Sequence, residues 1–329
     1  MAEGLRVHIP DGYINLATSA GAGVAAAGGL AASLKASGKD LADRQIPLAG
    51  LAAAFIFALQ MLNFPVTAGT SGHLLGGALA AILLGPSLGV VVVAVVVIVQ
   101  ALIFADGGVS ALGLNILNMA VITAIVGWAA FRGAMRIAPK NTASVLGATM
   151  VAGWISMLAS AGAFVIEYGL GGQGGVPLAT VLAAMTGVHA IIGIGEGFIS
   201  AVVVGAVLAV RPDLVRATAD LHLIRTAKAP SRRALGSLVL GGIVAALLLV
   251  LVVAPLASSE PDGLERVAAD TGFAPTAQEH PLGGPLADYG VSGIENERTG
   301  TIVAGAIGVI ITFGVGLGLI ALARRRTAA

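Results

Sequence analysis

The chain has 329 residues, of which 57 % are apolar and only 11 % charged, with a mean hydropathy of +0.95 and a net charge of +1. A soluble domain is about a quarter charged, so lipid rather than water is the main solvent of this chain, and its balanced charge points to no nucleic-acid partner. Cysteine is absent, which excludes a disulfide framework and any thiolate metal site and leaves nitrogen and oxygen as the only metal ligands.

The first thirteen residues lack the basic-then-apolar pattern of a signal peptide. A membrane-spanning helix needs about 20 largely apolar residues and satisfies its own backbone. Seven such segments are predicted in the first two-thirds of the chain, at 14–34, 47–62, 71–84, 88–104, 109–131, 143–166 and 177–210. The third is short and bracketed by Pro65 and Pro86, and it either crosses or dips in and returns. Two further segments follow at 234–256 and 301–322, separated by a polar, acidic stretch at 258–299. The 47 glycines and the scarcity of aromatics suit helices that approach closely in lipid. The expected fold is an all-α integral membrane protein. A seven-segment bundle (1–210) is joined by a basic connector (211–233) to a two-helix module (234–329) with an extracytoplasmic loop.

Charge gives the orientation. With the N-terminus outside and every segment crossing, the cytoplasmic pieces 35–45, 132–142, 211–233 and the tail after Ala323 hold 15 of the 18 Lys and Arg. Only Arg6, Arg266 and Arg298 fall outside. This positive-inside bias predicts a multi-pass protein with its N-terminus outside and its C-terminus in the cytoplasm.

Five histidines occur, and two stand in unusual settings at the expected outer surface: His8 before the first segment and His73 at the start of the third. Neutral imidazole suits nickel, cobalt, copper and zinc, although two unrelated interfacial histidines would look the same. His-Ile-Pro-Asp-Gly at 8–12, Gly-Thr-Ser-Gly-His-Leu-Leu-Gly-Gly at 69–77 and the 65-residue separation of the two histidines resemble the CbiM/NikM family. That family comprises the substrate-capture components of energy-coupling-factor transporters for cobalt and nickel. Residues 100–108, 111–119 and 189–196 resemble the same family, and Pro261-Asp262-Gly263-Leu264-Glu265 resembles the PDGLE module, a CbiN-like partner fused here to the same chain.

The resemblance implies Co²⁺ or Ni²⁺ as the transported substrate. It also implies a lipid-embedded coupling subunit of CbiQ/NikQ type and cytoplasmic ATPases of CbiO/NikO type in a bacterial plasma membrane. In the family the metal is held by four nitrogens: the amine of the initiator Met, the backbone nitrogen and side chain of the following His, and the His of the Gly-Thr-Ser-Gly-His motif. His8 and His73 match the two imidazoles, whereas Val7 stands where the initiator Met would be. The resemblance thus implies a working start at Val7, read as Met from a GTG codon, with 1–6 an extension; the alternative is a genuine extension and a rebuilt site.

Asp11 is a candidate cap for the first helix or a partner for His8, and Asp106 a turn residue beside Gly107-Gly108. Ser71 belongs to the His73 motif as a further supporting candidate. His189 and Glu196, seven apart, share a helix face and either line an ion path or join helices. Asn115, Asn118 and Met119 also share a face, and interhelical packing is expected of them. His222 and His280 fall in loops and are expected to be solvated. No G-x-x-x-x-G-K-[ST] phosphate loop occurs, so the chain is expected to be no enzyme, and uphill transport would draw on other subunits. The competing reading is a self-sufficient secondary transporter or channel for a divalent metal, a class that holds its ions near the bilayer midplane.

Overall fold

The computed structural model describes residues 8–38, 45–67, 69–219 and 232–328. Helix α1 (Leu16–Gly38) opens at Asn15, whose Oδ1 accepts the Thr18 N–H at 2.9 Å. Helix α2 (Gln45–Gln60) follows, then a short antiparallel pair, β1 (Phe64–Pro65) and β2 (Ser71–Gly72), with Phe64 opposite Gly72. Helix α3 (Gly77–Leu84) has only 8 residues, and α4 (Pro86–Ile103) starts on a proline suited to the first helical position. Helix α5 (Leu112–Ile137) contains a π-helical stretch at Ile116–Ile122, a feature that collects at functional sites. Helix α6 (Thr142–Gly171) is capped by Asn141, and α7 (Leu178–Val210) packs along it. The C-terminal region supplies α8 (Arg232–Val253), α9 (Gly263–Thr271) and α10 (Glu297–Ala328).

Among the described residues, seven helices are long and apolar enough to cross a membrane: α1, α4, α5, α6, α7, α8 and α10. Large apolar side chains such as Met150, Trp154, Ile194, Phe198, Leu240 and Leu248 point outward from them, as a lipid-facing surface requires. The chain is an all-α integral membrane protein.

The third segment corrects the sequence reading, for only its second half is helical. Eight helical residues span about 12 Å against a hydrocarbon thickness of about 30 Å. The six non-helical residues before them reach up to about 20 Å more, so the segment runs end to end. At Ser71 the backbone N–H donates to Pro261 O at 2.9 Å, whereas Gly85 lies beside Arg216 at the opposite end of the bundle. Non-helical backbone at membrane depth must be enclosed by protein, and every residue from 70 to 82 is buried. Its apolar composition makes it look helical in sequence.

The C-terminal part is more than two helices and a loop. Residues 257–296 fold as a lid on the bundle, built around α9, whose start is held by a reciprocal capping box between Asp262 and Glu265. The lid is stitched down by backbone hydrogen bonds from Ser258 to Asn63, Gln278 to Asp11 and Asp288 to Phe104. Helix α10 lies along α2, while α8 leaves most of its surface exposed.

Candidate metal centre

His8 enters the bundle on a buried, irregular segment that precedes α1. Asn115 on α5 grips the next residue twice: its Oδ1 accepts the Ile9 N–H and its Nδ2 donates to Ile9 O, both at 3.0 Å. Gly108 N–H adds a third bond to Ile9 O at 2.9 Å. This approach needs glycine at Gly107, where φ is +88° and a Cβ would sit 2.8 Å from His8 Cβ. Asp11 neither caps α1 nor touches His8, contrary to expectation. Its carboxylate accepts the N–H groups of Val109 (3.0 Å) and Ser110 (2.7 Å) and fixes the turn into α5.

The carboxylate beside His8 belongs instead to Asp106, which the sequence reading gave to the turn. His8 Nδ1 lies 3.3 Å from Asp106 O and 3.4 Å from its Oδ1. Tyr289, from the lid, donates its hydroxyl to Asp106 Oδ2 at 2.7 Å and accepts from Gln100 Nε2 at 3.0 Å. Both arms of this contact use strained backbone, with positive φ at Ala105, Asp288 and Tyr289; such strain gathers at functional sites. Burial, opposed by the Asp106 carbonyl contact, lowers the His8 pKa to about 4, so the ring is neutral. Its Nε2 is buried and meets no hydrogen-bond partner among the described residues. The Tyr289 hydroxyl is held well above its ordinary pKa by burial and by the Asp106 charge, so it stays a donor.

His73 reaches the same place from the non-helical part of the third segment. Its ring meets that of His8 edge-on, with centroids 5.6 Å apart and planes at 71°. His73 Nδ1 lies 3.2 Å from Leu74 O, and Nε2 lies 3.7 Å from Asp262 Oδ2. The two histidines line a cavity of about 70 Å³ with His189, Asn115, Asn118, Met119 and Asp262. Organic ligands occupy pockets of roughly 300–1,000 Å³, so this one suits an ion and little more. A larger apolar hollow of about 640 Å³ near Arg211, lined by Leu51, Phe55 and Leu238, offers no comparable set of donors.

The remaining candidates divide. His189 faces the cavity and its Nδ1 is anchored 2.8 Å from Met185 O. Glu196 is not among the cavity-lining residues; its carboxylate accepts the N–H groups of Leu75 (2.6 Å) and Gly76 (3.0 Å) and so holds the segment that carries His73. Asn118 faces the cavity while donating to Glu167 on α6 at 2.8 Å. Asn115 serves the His8 segment more than helix packing. Ser71 donates through Oγ to Glu260 O at 2.7 Å, joining the His73 loop to the lid. His280 turns back on its own loop, its Nδ1 3.1 Å from the Leu282 N, and its Nε2 is buried rather than solvated. Val7 and His222 lie outside the described residues. Burial and the neighbouring Glu265 charge push the Asp262 carboxyl upward. Among the described residues no three His, Asp or Glu side chains stand, as they are arranged here, close enough together to hold a metal ion.

Sequence reasoning missed the Asp106–Tyr289 pair and gave Asp262 no role, although the PDGLE motif itself was visible. Comparison with known proteins adds the following. Residues 8–214 match the family described as the cobalt uptake substrate-specific transmembrane region, and residues 236–325 match the PDGLE domain. The chain is 38 % identical over 321 residues to a candidate fused nickel transport protein, NikMN, of Archaeoglobus fulgidus, covering 97 % of this chain and 99 % of that one. It is 30 % identical to the fused nickel transport protein NikMN of Rhodobacter capsulatus, again over 97 % and 99 % of the two chains. A solved transition metal transporter matches 66 % of this chain and 100 % of its own at 30 % identity, with a TM-score of 0.55.

Proposed function

The chain belongs to the cobalt uptake substrate-specific transmembrane family, and on that premise we propose that it captures Ni²⁺ or Co²⁺ through the imidazoles of His8 and His73 and passes the ion across the membrane. The observation that carries this reading is the meeting of two rings from distant parts of the chain in one small buried cavity, with His8 neutral and its Nε2 unpartnered. Imidazole nitrogens suit both metals. A ligating histidine usually offers its other ring nitrogen to a carboxylate or carbonyl, and Asp106 presents both to His8 Nδ1.

The sequence contains no phosphate-binding loop, so we assign the energy to separate cytoplasmic ATPases acting through a transmembrane coupling subunit, of CbiO/NikO and CbiQ/NikQ type. In this reading the His8 end faces outward, and the basic ends at 132–142 and 211–233 face the ATPase side. Calorimetric titration of the purified full chain with Ni²⁺ and Co²⁺ tests the site. His8→Ala and His73→Ala should each lose high-affinity binding while the protein still elutes as one species. Unchanged affinity would remove the pair from the site. Metal uptake by the chain alone, without ATPase partners, would make it a self-sufficient carrier instead.

A further inference from the structure

We propose that the C-terminal module completes the metal site, with Asp262 supplying a carboxylate ligand to an ion held by His8 and His73. This rests on the reading of the two histidines as ligands. It adds a donor from a different part of the chain.

The turn that carries Asp262 is driven into the cavity rather than laid over it. Ser71, two residues before His73, binds this turn twice, its N–H to Pro261 O at 2.9 Å and its Oγ to Glu260 O at 2.7 Å. Gly263 then packs against α7 so closely that a Cβ would lie 2.5 Å from Ile192 Cδ1 and 3.2 Å from His189 Cε1. Asp262 is 2 % exposed. Its Oδ1 accepts the Glu265 N–H at 2.8 Å, and Glu265 Oε2 accepts the Asp262 N–H at 3.2 Å, which holds the carboxylate in one orientation. Oδ2 is thereby set 3.7 Å from His73 Nε2. Two donors each about 2.1 Å from one ion lie about 3.0 Å apart at a right angle and about 4.2 Å apart in line. The observed separation falls between these limits, so one ion can bridge the pair.

Capping α9 does not explain the burial of a carboxylate, because Asn or Ser caps a helix about as well. Charge does explain it. A divalent ion ligated by imidazole nitrogens alone keeps its full charge, and a buried charge is costly unless paired. Asp106 already accepts the Tyr289 hydroxyl beside His8. Asp262 brings a second carboxylate, next to His73. The metal site is therefore complete only when the lid is seated.

The test uses the full chain and variants that separate cap from ligand. Asp262→Asn and Asp262→Ser keep a helix cap and remove the charge; Glu279→Gln removes an exposed carboxylate elsewhere in the lid. Ni²⁺ and Co²⁺ titrations are read together with the Co²⁺ absorption spectrum, which reports the donor set. Both Asp262 variants should weaken binding by at least about 10-fold, the lower range for groups supporting a metal, and should shift the spectrum. Glu279→Gln should bind as the parent does. The proposal is overturned if Asp262→Asn and Asp262→Ser keep the parent's affinity and spectrum, or if they weaken binding with the spectrum unchanged. His73→Ala separates the two levels. If it binds as the parent does, the histidine reading itself fails; if it abolishes binding while the Asp262 variants are silent, only the carboxylate ligand fails.

Discussion

Replacing Asn115 with Ala should loosen His8 without touching it. Asn115 is 1 % exposed and makes two 3.0 Å bonds to Ile9. On truncation Ile9 O keeps the Gly108 N–H at 2.9 Å, but the Ile9 N–H loses its acceptor inside the bundle. One orphaned buried donor costs about 1–3 kcal/mol, and the second lost bond about 0.5–1.5 kcal/mol. The total, about 1.5–4.5 kcal/mol, is a large part of a native stability of roughly 5–15 kcal/mol. The segment can escape this penalty by undocking, and an ion must then redock it. Metal affinity should fall about 10- to 100-fold, the range found when a ligand's support is removed. Asn115→Leu restores the volume without the hydrogen bonds and should be as weak as Asn115→Ala. Calorimetric titration with Ni²⁺ and thermal unfolding in detergent read the two effects. If Asn115→Ala binds within twofold of the parent, the His8 segment is not held by this residue, and the account of how the site is positioned is wrong.

Glu196→Ala should lower the melting temperature sharply, because it strands the Leu75 and Gly76 N–H groups at a cost of about 1–3 kcal/mol each; Glu196→Gln, which keeps one acceptor, should lose less, and a parent-like melt for Glu196→Ala would contradict the role given to it. The chain lacks cysteine, so single cysteines report orientation directly. An impermeant thiol reagent on intact cells should label Glu279→Cys and not Thr142→Cys, both exposed positions at opposite ends of the bundle; the reverse pattern would invert the topology. A chain beginning with Met at position 7 should bind metal more tightly than the full 329 residues, since a free amine and the His8 backbone nitrogen can then close a chelate with His8 Nδ1 once the ring turns that nitrogen from Asp106 to the ion; one Ala added ahead of that Met should undo the gain, and equal affinities would remove the amine from the ligand set.

The membrane class, the helical bundle and the two histidines were legible because each is written locally, in hydropathy, in charge bias or in a short motif. Their partners were not, because they come from far along the chain: Tyr289 meets Asp106 across 183 residues, and Ser71 meets Glu260 across 189. Asp11 misled by proximity. Residues 8 and 11 are neighbours in sequence, but the chain turns at 11–12, with φ of +93° at Gly12, and Asp11 faces the 109–110 turn and leaves His8 to Asp106. The three- and four-residue spacing of Asn115, Asn118 and Met119 did bring all three to one cavity, although the π-helical stretch from Ile116 changes the helix between them. The shared face of His189 and Glu196 gave no means of separating their roles. The backbone of 75–76, not sequence spacing, makes Glu196 a structural anchor.

A resident structural metal is best served by a closed cage of side chains that never part, and a transported ion by the opposite. The donors proposed here ride on separable pieces: His8 on the irregular segment before α1, His73 on the non-helical run before α3, and Asp262 at the start of α9 in the lid. Each piece is fixed by a few directed hydrogen bonds, Asn115 to Ile9, Glu196 to residues 75 and 76, and Ser71 to residues 260 and 261. An apolar cluster of Leu264, Val267 and Phe273 with Ile9, Tyr13, Phe164 and Tyr168 seats the lid beside these bonds. Displacing the His8 or the His73 element alone removes one ligand. The ion can therefore be released by stages through small movements, without unfolding the bundle. The contacts of Asp106 with Tyr289 and of Ser71 with Glu260 tie the lid to the supports of both histidines, so unseating the lid would loosen both rings together. A coupling subunit acting from the opposite end would then need only to tilt α7, which bears His189 near the cavity and Glu196 beneath His73, to disturb the support of the His73 segment.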